Sequence, residues 1–179
     1  EIENVQEQID LQYRMKQAYT ENIQELQTMM NKTKADTDDW YKLRDAIYAA
    51  EEALKEIANT INEISSKRIN ILDQKFETQD KPGERMINML EKYADRAMSE
   101  DMFQDYLRFS EQKITETQAK RSLNVAQIEE WKKELANFEK DTDSWIEVRD
   151  KIWELEQENA ELDNELVQMQ LDLNSQRLS

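Results

Sequence analysis

Residues 36–64 read DTDDWYKLRDAIYAAEEALKEIANTINEI, and residues 141–169 read DTDSWIEVRDKIWELEQENAELDNELVQM. The two stretches lie 105 residues apart and agree at 10 of 29 positions, among them Asp36/Asp141, Thr37/Thr142, Asp38/Asp143, Trp40/Trp145, Arg44/Arg149, Asp45/Asp150 and Ile47/Ile152. Chance likeness between two helices would not place Trp, Arg and Thr so consistently, so an internal duplication is the reading that decides the fold.

Inside each copy the apolar residues recur at alternating spacings of three and four, the seam of a coiled coil. In the first copy the seam runs Trp40, Leu43, Ile47, Ala50, Leu54, Ile57, Ile61 and Ile64, then Arg68 and Ile71. In the second it runs Trp145, Val148, Ile152, Leu155, Asn159, Leu162, Leu166, Met169 and Leu173. The segments upstream carry the same spacing: Ile2, Val5, Ile9, polar Gln12 and Lys16, then Tyr19, Ile23, Leu26 and Met30, and later Leu107, Ile114, Ile128, Trp131, Leu135 and Phe138. Each copy therefore reads as two long helices. The link between them is short, and Asp36, Thr37 and Asp38, like Asp141, Thr142 and Asp143, offer oxygens to the free N–H groups that open the second helix. A short link demands an antiparallel hairpin. Folding the chain so that paired numbers sum to 73 sets Leu43 on Met30, Ile47 on Leu26 and Leu54 on Tyr19. The equivalent sum of 283 sets Val148 on Leu135, Ile152 on Trp131 and Asn159 on Asn124.

The fold expected is thus all-α: two tandem, internally duplicated, long antiparallel helical hairpins, coiled-coil-like, packed as an elongated bundle. The first hairpin is assigned to 1–79 with its turn near 34–38, and the second to 101–179 with its turn near 139–143. Asp80-Lys81-Pro82-Gly83-Glu84 holds the only Pro and the only Gly of the 179 residues, which predicts a helix ending by Gln79 and another opening near Glu84. Residues 80–100 then form a break and a short amphipathic connector with Met86, Leu90, Tyr93 and Ala97 on one face. Ser99-Glu100-Asp101 resembles a further helix start, although a continuous helix from 84 to 139 is also compatible with the sequence.

Composition narrows the chemistry. The chain has no His and no Cys, which removes imidazole acid–base catalysis, Ser-His and Cys-His nucleophiles, structural zinc and disulfides. A di-iron bundle site needs Glu-x-x-His pairs and is excluded with the histidines. Forty Asp plus Glu against 24 Lys plus Arg give a formal charge of −16, which repels nucleic acid and anionic lipid. No run approaches the roughly 18 apolar residues of a membrane span, and residues 1–20 lack the basic and apolar regions of a secretion signal, so a soluble chain of open compartment is expected. An opening Glu1 in place of Met is expected of a trimmed, processed or partial chain.

Three constellations stand out. At the tips, Trp40 with Arg44 and Trp145 with Arg149 lie one helical turn apart and are placed to stack. The acids around Thr37 and Thr142 suit capping better than calcium, which needs alternating ligands, a central Gly and a closing Glu. Along the seams, Lys16 and Arg121 occupy equivalent positions, opposite Ile57 and Leu162 with Glu56 and Glu161 at hand, and Asn124 faces Asn159. Register control is the main reading of these polar positions, and an anion-binding pocket is the alternative. On the last helix, Ile146, Trp153, Ala160 and Val167 form a second seven-residue stripe, among Glu154, Glu156, Glu158, Glu161, Asp163, Glu165 and Asp172, with no Lys or Arg between 152 and 176. A solvated face is the main reading of these acids, and a docking surface for a basic partner, or for basic residues elsewhere in the chain, is the alternative; exposure of the stripe would mark a protein contact surface.

The function expected is non-catalytic: a structural or assembly protein, a scaffold, spacer or component of a larger assembly such as a virion. It would act through self-association or other protein–protein contacts, with no cofactor, metal, nucleic acid or membrane span. The alternative is a sensory or ligand-binding helical bundle using the polar seam at Lys16 and Arg121.

Overall fold

The computed structural model describes residues 2–178, with the side chain of Ile2 outside the description. It is all-helical: α1 (Ile2–Asn31), α2 (Asp38–Ser99), α3 (Phe103–Leu135) and α4 (Asp143–Leu178), with no strand among the described residues. No described helix is long and apolar enough to cross a membrane. Two compact units divide the chain, Glu1–Ile71 and Leu72–Ser179, so the division falls within α2.

The first unit comprises α1 and the start of α2. Its buried residues are Val5 and Ile9 on α1 and Ile47, Ala50, Ile57, Ile61, Ser65, Arg68 and Ile69 on α2, while Ile23, Leu26, Met30, Trp40, Leu43 and Leu54 are half-buried. Arg68, the polar interruption of the first seam, is only 7% exposed and donates through Nη1 to Gln6 Oε1 of α1. A buried guanidinium demands such an acceptor, because an unpaired charge in an apolar seam costs far more than the bond returns.

The second unit is built from three helical stretches. The remainder of α2, from Leu72, buries Leu72, Phe76, Leu90, Ala94 and Ala97. Phe76 meets Trp131 of α3 edge-on at 5.4 Å, and Trp131 is 2% exposed, with Lys151 Nζ of α4 5.5 Å from its ring centre. Lys151 also pairs with Asp73 at 2.6 Å, so one lysine of α4 binds both α2 and α3. Higher up, Tyr93 of α2 packs against Phe109 of α3 at 5.4 Å. Between α3 and α4, partner numbers climb on one helix as they fall on the other: Asn124 with Asn159, Arg121 with Asp163, and Glu111 with Arg177. Every residue of the second seam from Trp145 to Leu173 is buried or half-buried, with Val148 fully enclosed.

The helix end expected at Gln79 does not occur: α2 runs through Pro82 without interruption. A proline inside a helix removes one N–H bond, here to the Thr78 carbonyl, and crowds that carbonyl, at a cost of about 3 kcal/mol. Thr78 and Pro82 are both exposed, so water reaches the orphaned oxygen, and Gly83 keeps a negative φ. On either side, Ile69, Phe76, Leu90 and Ala97 are buried and lie on one seven-residue phase that passes through Gly83, so side-chain burial on both flanks offsets the local loss. Residues 80–99 are accordingly a continuation of α2 within the second unit, with no helix break at the Pro-Gly pair.

The chain does break after Ser99. Asp101 adopts φ 54°, its N–H donates to Met98 O at 3.3 Å, and Met102 N–H reaches back to Ala97 O at 2.8 Å. These are the two reverse bonds of a Schellman ending, with Asp in place of the usual Gly at the left-handed position. Ser99 belongs to the end of α2, donating to Arg96 O, and does not open α3, whose N-cap Met102 makes no side-chain cap bond.

Candidate protein-interaction surface

The two tips show how the sequence positions α2 and α4. Thr37 accepts from Trp40 N–H at 3.4 Å and Thr142 from Trp145 N–H at 3.3 Å, while the first helical carbonyls, Thr37 O and Thr142 O, take Tyr41 and Ile146 N–H. Each threonine also donates its hydroxyl across the turn, to Lys34 O and Glu139 O. The capping oxygen at each tip is therefore the threonine. Asp38 and Asp143 occupy the first helical turn, where a negative charge suits the helix dipole. Asp36 and Asp141 instead take the left-handed conformation, at φ 63° and 66°.

The stacking expected at the tips holds in one of them. Arg149 lies 5.4 Å from the Trp145 ring, whereas Arg44 turns to Tyr41 at 4.7 Å and Tyr48 at 5.8 Å. A Tyr at 41, where the second copy has Ile146, offers a nearer ring, and its hydroxyl donates to Asp36 Oδ1 at 3.0 Å. Among the described residues no group of three acids converges to hold a metal ion.

Along the second seam, Asn124 Nδ2 donates to Asn159 Oδ1 at 3.0 Å, the pair that the sum of 283 sets opposite. Both are buried, at 1% and 7% exposure, and Asn159 Nδ2 reaches Arg121 O at 3.4 Å. Arg121 itself is on the surface, bound to Asp163 through both Nε and Nη2, and not beside Glu161 as the sequence suggested. Asp163 is one turn from Asn159 on α4 and presents a fork that the planar guanidinium matches. Lys16 is half-buried with Tyr13 5.9 Å from its ammonium, and it belongs to the first unit while Arg121 belongs to the second.

Several contacts were invisible to a reading that assigned residues 1–79 to a first hairpin and ended its helix at Gln79. Buried Gln127 donates to Asp80 Oδ1 at 2.9 Å and Gln79 Oε1 at 3.4 Å, and Lys75 pairs with Glu130 at 3.1 Å. Lys120 pairs with Glu158 at 3.0 Å and Glu84 at 3.8 Å. Burial pulls this lysine's pKa down, but Glu158, with Glu84 and Asp80, outweighs it, so the ammonium is held above its ordinary value. The signal for all of these was the uninterrupted seven-residue phase from Ile69 to Ala97. Beside Lys120, an open cleft of about 390 Å³ lies between α2, α3 and α4, lined by Ile87, Glu91, Lys113, Thr117 and Met169 among others.

The outward face of α4 remains. Trp153 is 60% exposed, Val167 62% and Leu171 57%; Leu178 is exposed and Ile146 half-buried. Glu154, Glu161 and Glu165 are exposed, and Glu158 turns inward to Lys120. Trp131 and Trp153 thus have opposite fates, one enclosed and one in water.

No protein-family model, curated protein or solved structure matches this chain.

Proposed function

We propose that this chain is a non-catalytic structural or assembly protein, a scaffold, spacer or component of a larger protein assembly such as a virion. In this reading its halves derive from duplicated antiparallel hairpins with coiled-coil-like seams, the second elaborated by the C-terminal stretch of α2. The observation that carries the proposal is the exposure of Trp153, Val167 and Leu171 on the face of α4 opposite its buried seam. Large apolar groups left in water along one helix mark a contact surface, since monomers rarely expose such patches. The duplicated Thr-capped tips and the buried Asn124–Asn159 pair support a chain whose helix lengths and register matter more than any reactive group. Arg121, held by Asp163 at the surface, fits pairing and register better than an anion pocket in its seam.

Light scattering and native mass measurement of the chain, with and without Trp153→Lys, test the proposal alongside affinity capture of protein partners. Self-association or a defined heteromeric complex that the substitution weakens, with helicity unchanged, is expected. A chain that stays monomeric and captures nothing overturns it.

A further inference from the structure

We propose that the outward stripe of α4 docks a basic amphipathic helix of another protein, laid along the helix from Trp153 to Leu178; this rests on the assembly reading above and names the chemistry of its partner. At 100° per residue, Trp153, Ala160, Val167, Leu171 and Leu178 fall within roughly 40° of arc, a continuous line about 38 Å long. The buried residues Leu162 and Leu173 lie on the far side of the same helix, and buried Ile152 and Asn159 lie roughly 80–100° round from the centre of the stripe. The stripe is therefore free for a second helix while α3 remains in place.

The shoulders of the stripe decide what fits. Glu154 and Glu161 flank it on one side and Glu156 on the other, and no ion pair or hydrogen bond reaches these three among the described residues. Of the acids that find cations, Glu158 pairs with Lys120 on the side away from the stripe, and Asp163, next to Glu156 on its shoulder, pairs with Arg121. Solvated carboxylates on both shoulders attract a helix that brings Lys or Arg to its own flanking positions, and reject one that brings acids.

A second copy of this chain is the wrong partner on the same grounds. α4 carries ten acids and three bases, so two stripes face to face would oppose carboxylate to carboxylate in either direction. No other helix of the chain supplies the complement: α1 and α2 are net acidic, and α3, the most basic, has six of each sign. The partner is an apolar-seamed helix of net positive charge, about 25 residues long to cover the stripe.

The test titrates the full chain with two synthetic 28-residue helices sharing one Leu/Ile seam, one with Lys and Arg on both shoulders and the other with Glu. Calorimetry at physiological salt is expected to show one basic helix bound per chain, at least tenfold tighter than the acidic one. The pair Trp153→Lys and Val167→Lys, both at exposed positions, should weaken that binding at least tenfold with circular dichroism unchanged. Glu154→Lys with Glu161→Lys should transfer the preference to the acidic helix. Basic-helix binding indifferent to Trp153→Lys and Val167→Lys overturns the proposal, as does a wild-type dimer that those substitutions dissociate. Failure of both peptides to bind, with partner capture that survives the same substitutions, overturns this docking site and leaves the assembly reading standing on another surface.

Discussion

The turn at Asp36-Thr37 and the turn at Asp141-Thr142 are built alike, but the regions they lead into are not. Both tips use a threonine that accepts from the Trp N–H three residues on and donates across the turn, and both set the preceding Asp at positive φ. Beyond the tips, the first unit has Tyr19 and Leu54 at the positions where the second has the hydrogen-bonded Asn124 and Asn159. It has half-buried Leu26 where the second encloses Trp131. Backbone geometry at a turn tolerates few residue types, so the tips stay alike. A seam position accepts any group that its surroundings can satisfy, and in the second unit those surroundings include the third helical stretch. The extra helix converts a half-covered position into a closed one.

The largest effect expected from that difference is at Trp131. Replacing it with Ala removes a fully enclosed indole from between Phe76 and Lys151, at a cost of about 3–5 kcal/mol. Leu26→Ala, at the equivalent place in the first unit, should cost clearly less because that side chain already touches water. Urea unfolding of the two variants decides the matter, and equal losses would mean that the third stretch of α2 adds no enclosure.

The continuity of α2 is the next point of attack. Pro82→Ala restores an N–H to the Thr78 carbonyl and should raise stability by up to about 3 kcal/mol in thermal or urea unfolding. A Cβ added at Gly83 meets nothing within 4 Å, so Gly83→Ala should add about 0.5–1 kcal/mol. Neither gain is expected if residues 80–84 form a loop, where proline and glycine do no harm.

That helix also marks the limit of what the sequence conveyed. The all-helical class, the seams and the Thr-capped tips were legible because each rests on a local pattern: spacings of three and four, or a hydroxyl three residues before an N–H. The Pro-Gly pair was the strongest local signal for a break, and it misled, because the cost of Pro82 is local while its compensation is not. Phe76 against Trp131, and Gln127 against Asp80, join residues about fifty positions apart, and no local rule assigns their contribution. The partner of Arg121 was misplaced for a related reason: seam arithmetic fixes which turn of α4 faces it, while choosing Asp163 over Glu161 depends on side-chain direction. The outward stripe of α4 was legible as far as Val167, and its extension through Leu171 and Leu178 follows from their exposure.

The asparagine pair sharpens the comparison of the seams. Asn124→Leu leaves the Asn159 amide without its side-chain partner in a closed seam and should lower stability by about 1–3 kcal/mol. Changing both to Leu makes this seam resemble the Tyr19 and Leu54 positions of the first unit, and the melting temperature should rise to or above that of the wild type. Light scattering should then reveal a less definite association state, because a slipped register no longer strands an amide. A double variant that melts below both single variants would assign the pair a role other than register control.

The smallest effect separates the tips themselves. Asp36 and Asp141 both sit at positive φ, where glycine is free of the crowding between Cβ and the carbonyl that an L side chain meets, so glycine at either place relieves strain and loses a charge near a helix N-terminus. Those terms are common to the two tips and cancel in the comparison. What does not cancel is Tyr41, whose hydroxyl donates to Asp36 Oδ1 at 3.0 Å, because the equivalent position in the second unit is Ile146 and has no donor. Asp36→Gly should therefore be less favourable than Asp141→Gly by about 0.5 kcal/mol, the lower end of a hydrogen bond's net contribution, as befits an exposed pair. Tyr41→Phe in both backgrounds closes the cycle: it should abolish the difference, since without the hydroxyl the first tip presents the same backbone problem as the second. If the difference persists in Tyr41→Phe, the two turns differ in backbone strain and are less alike than their shared threonine bonds indicate.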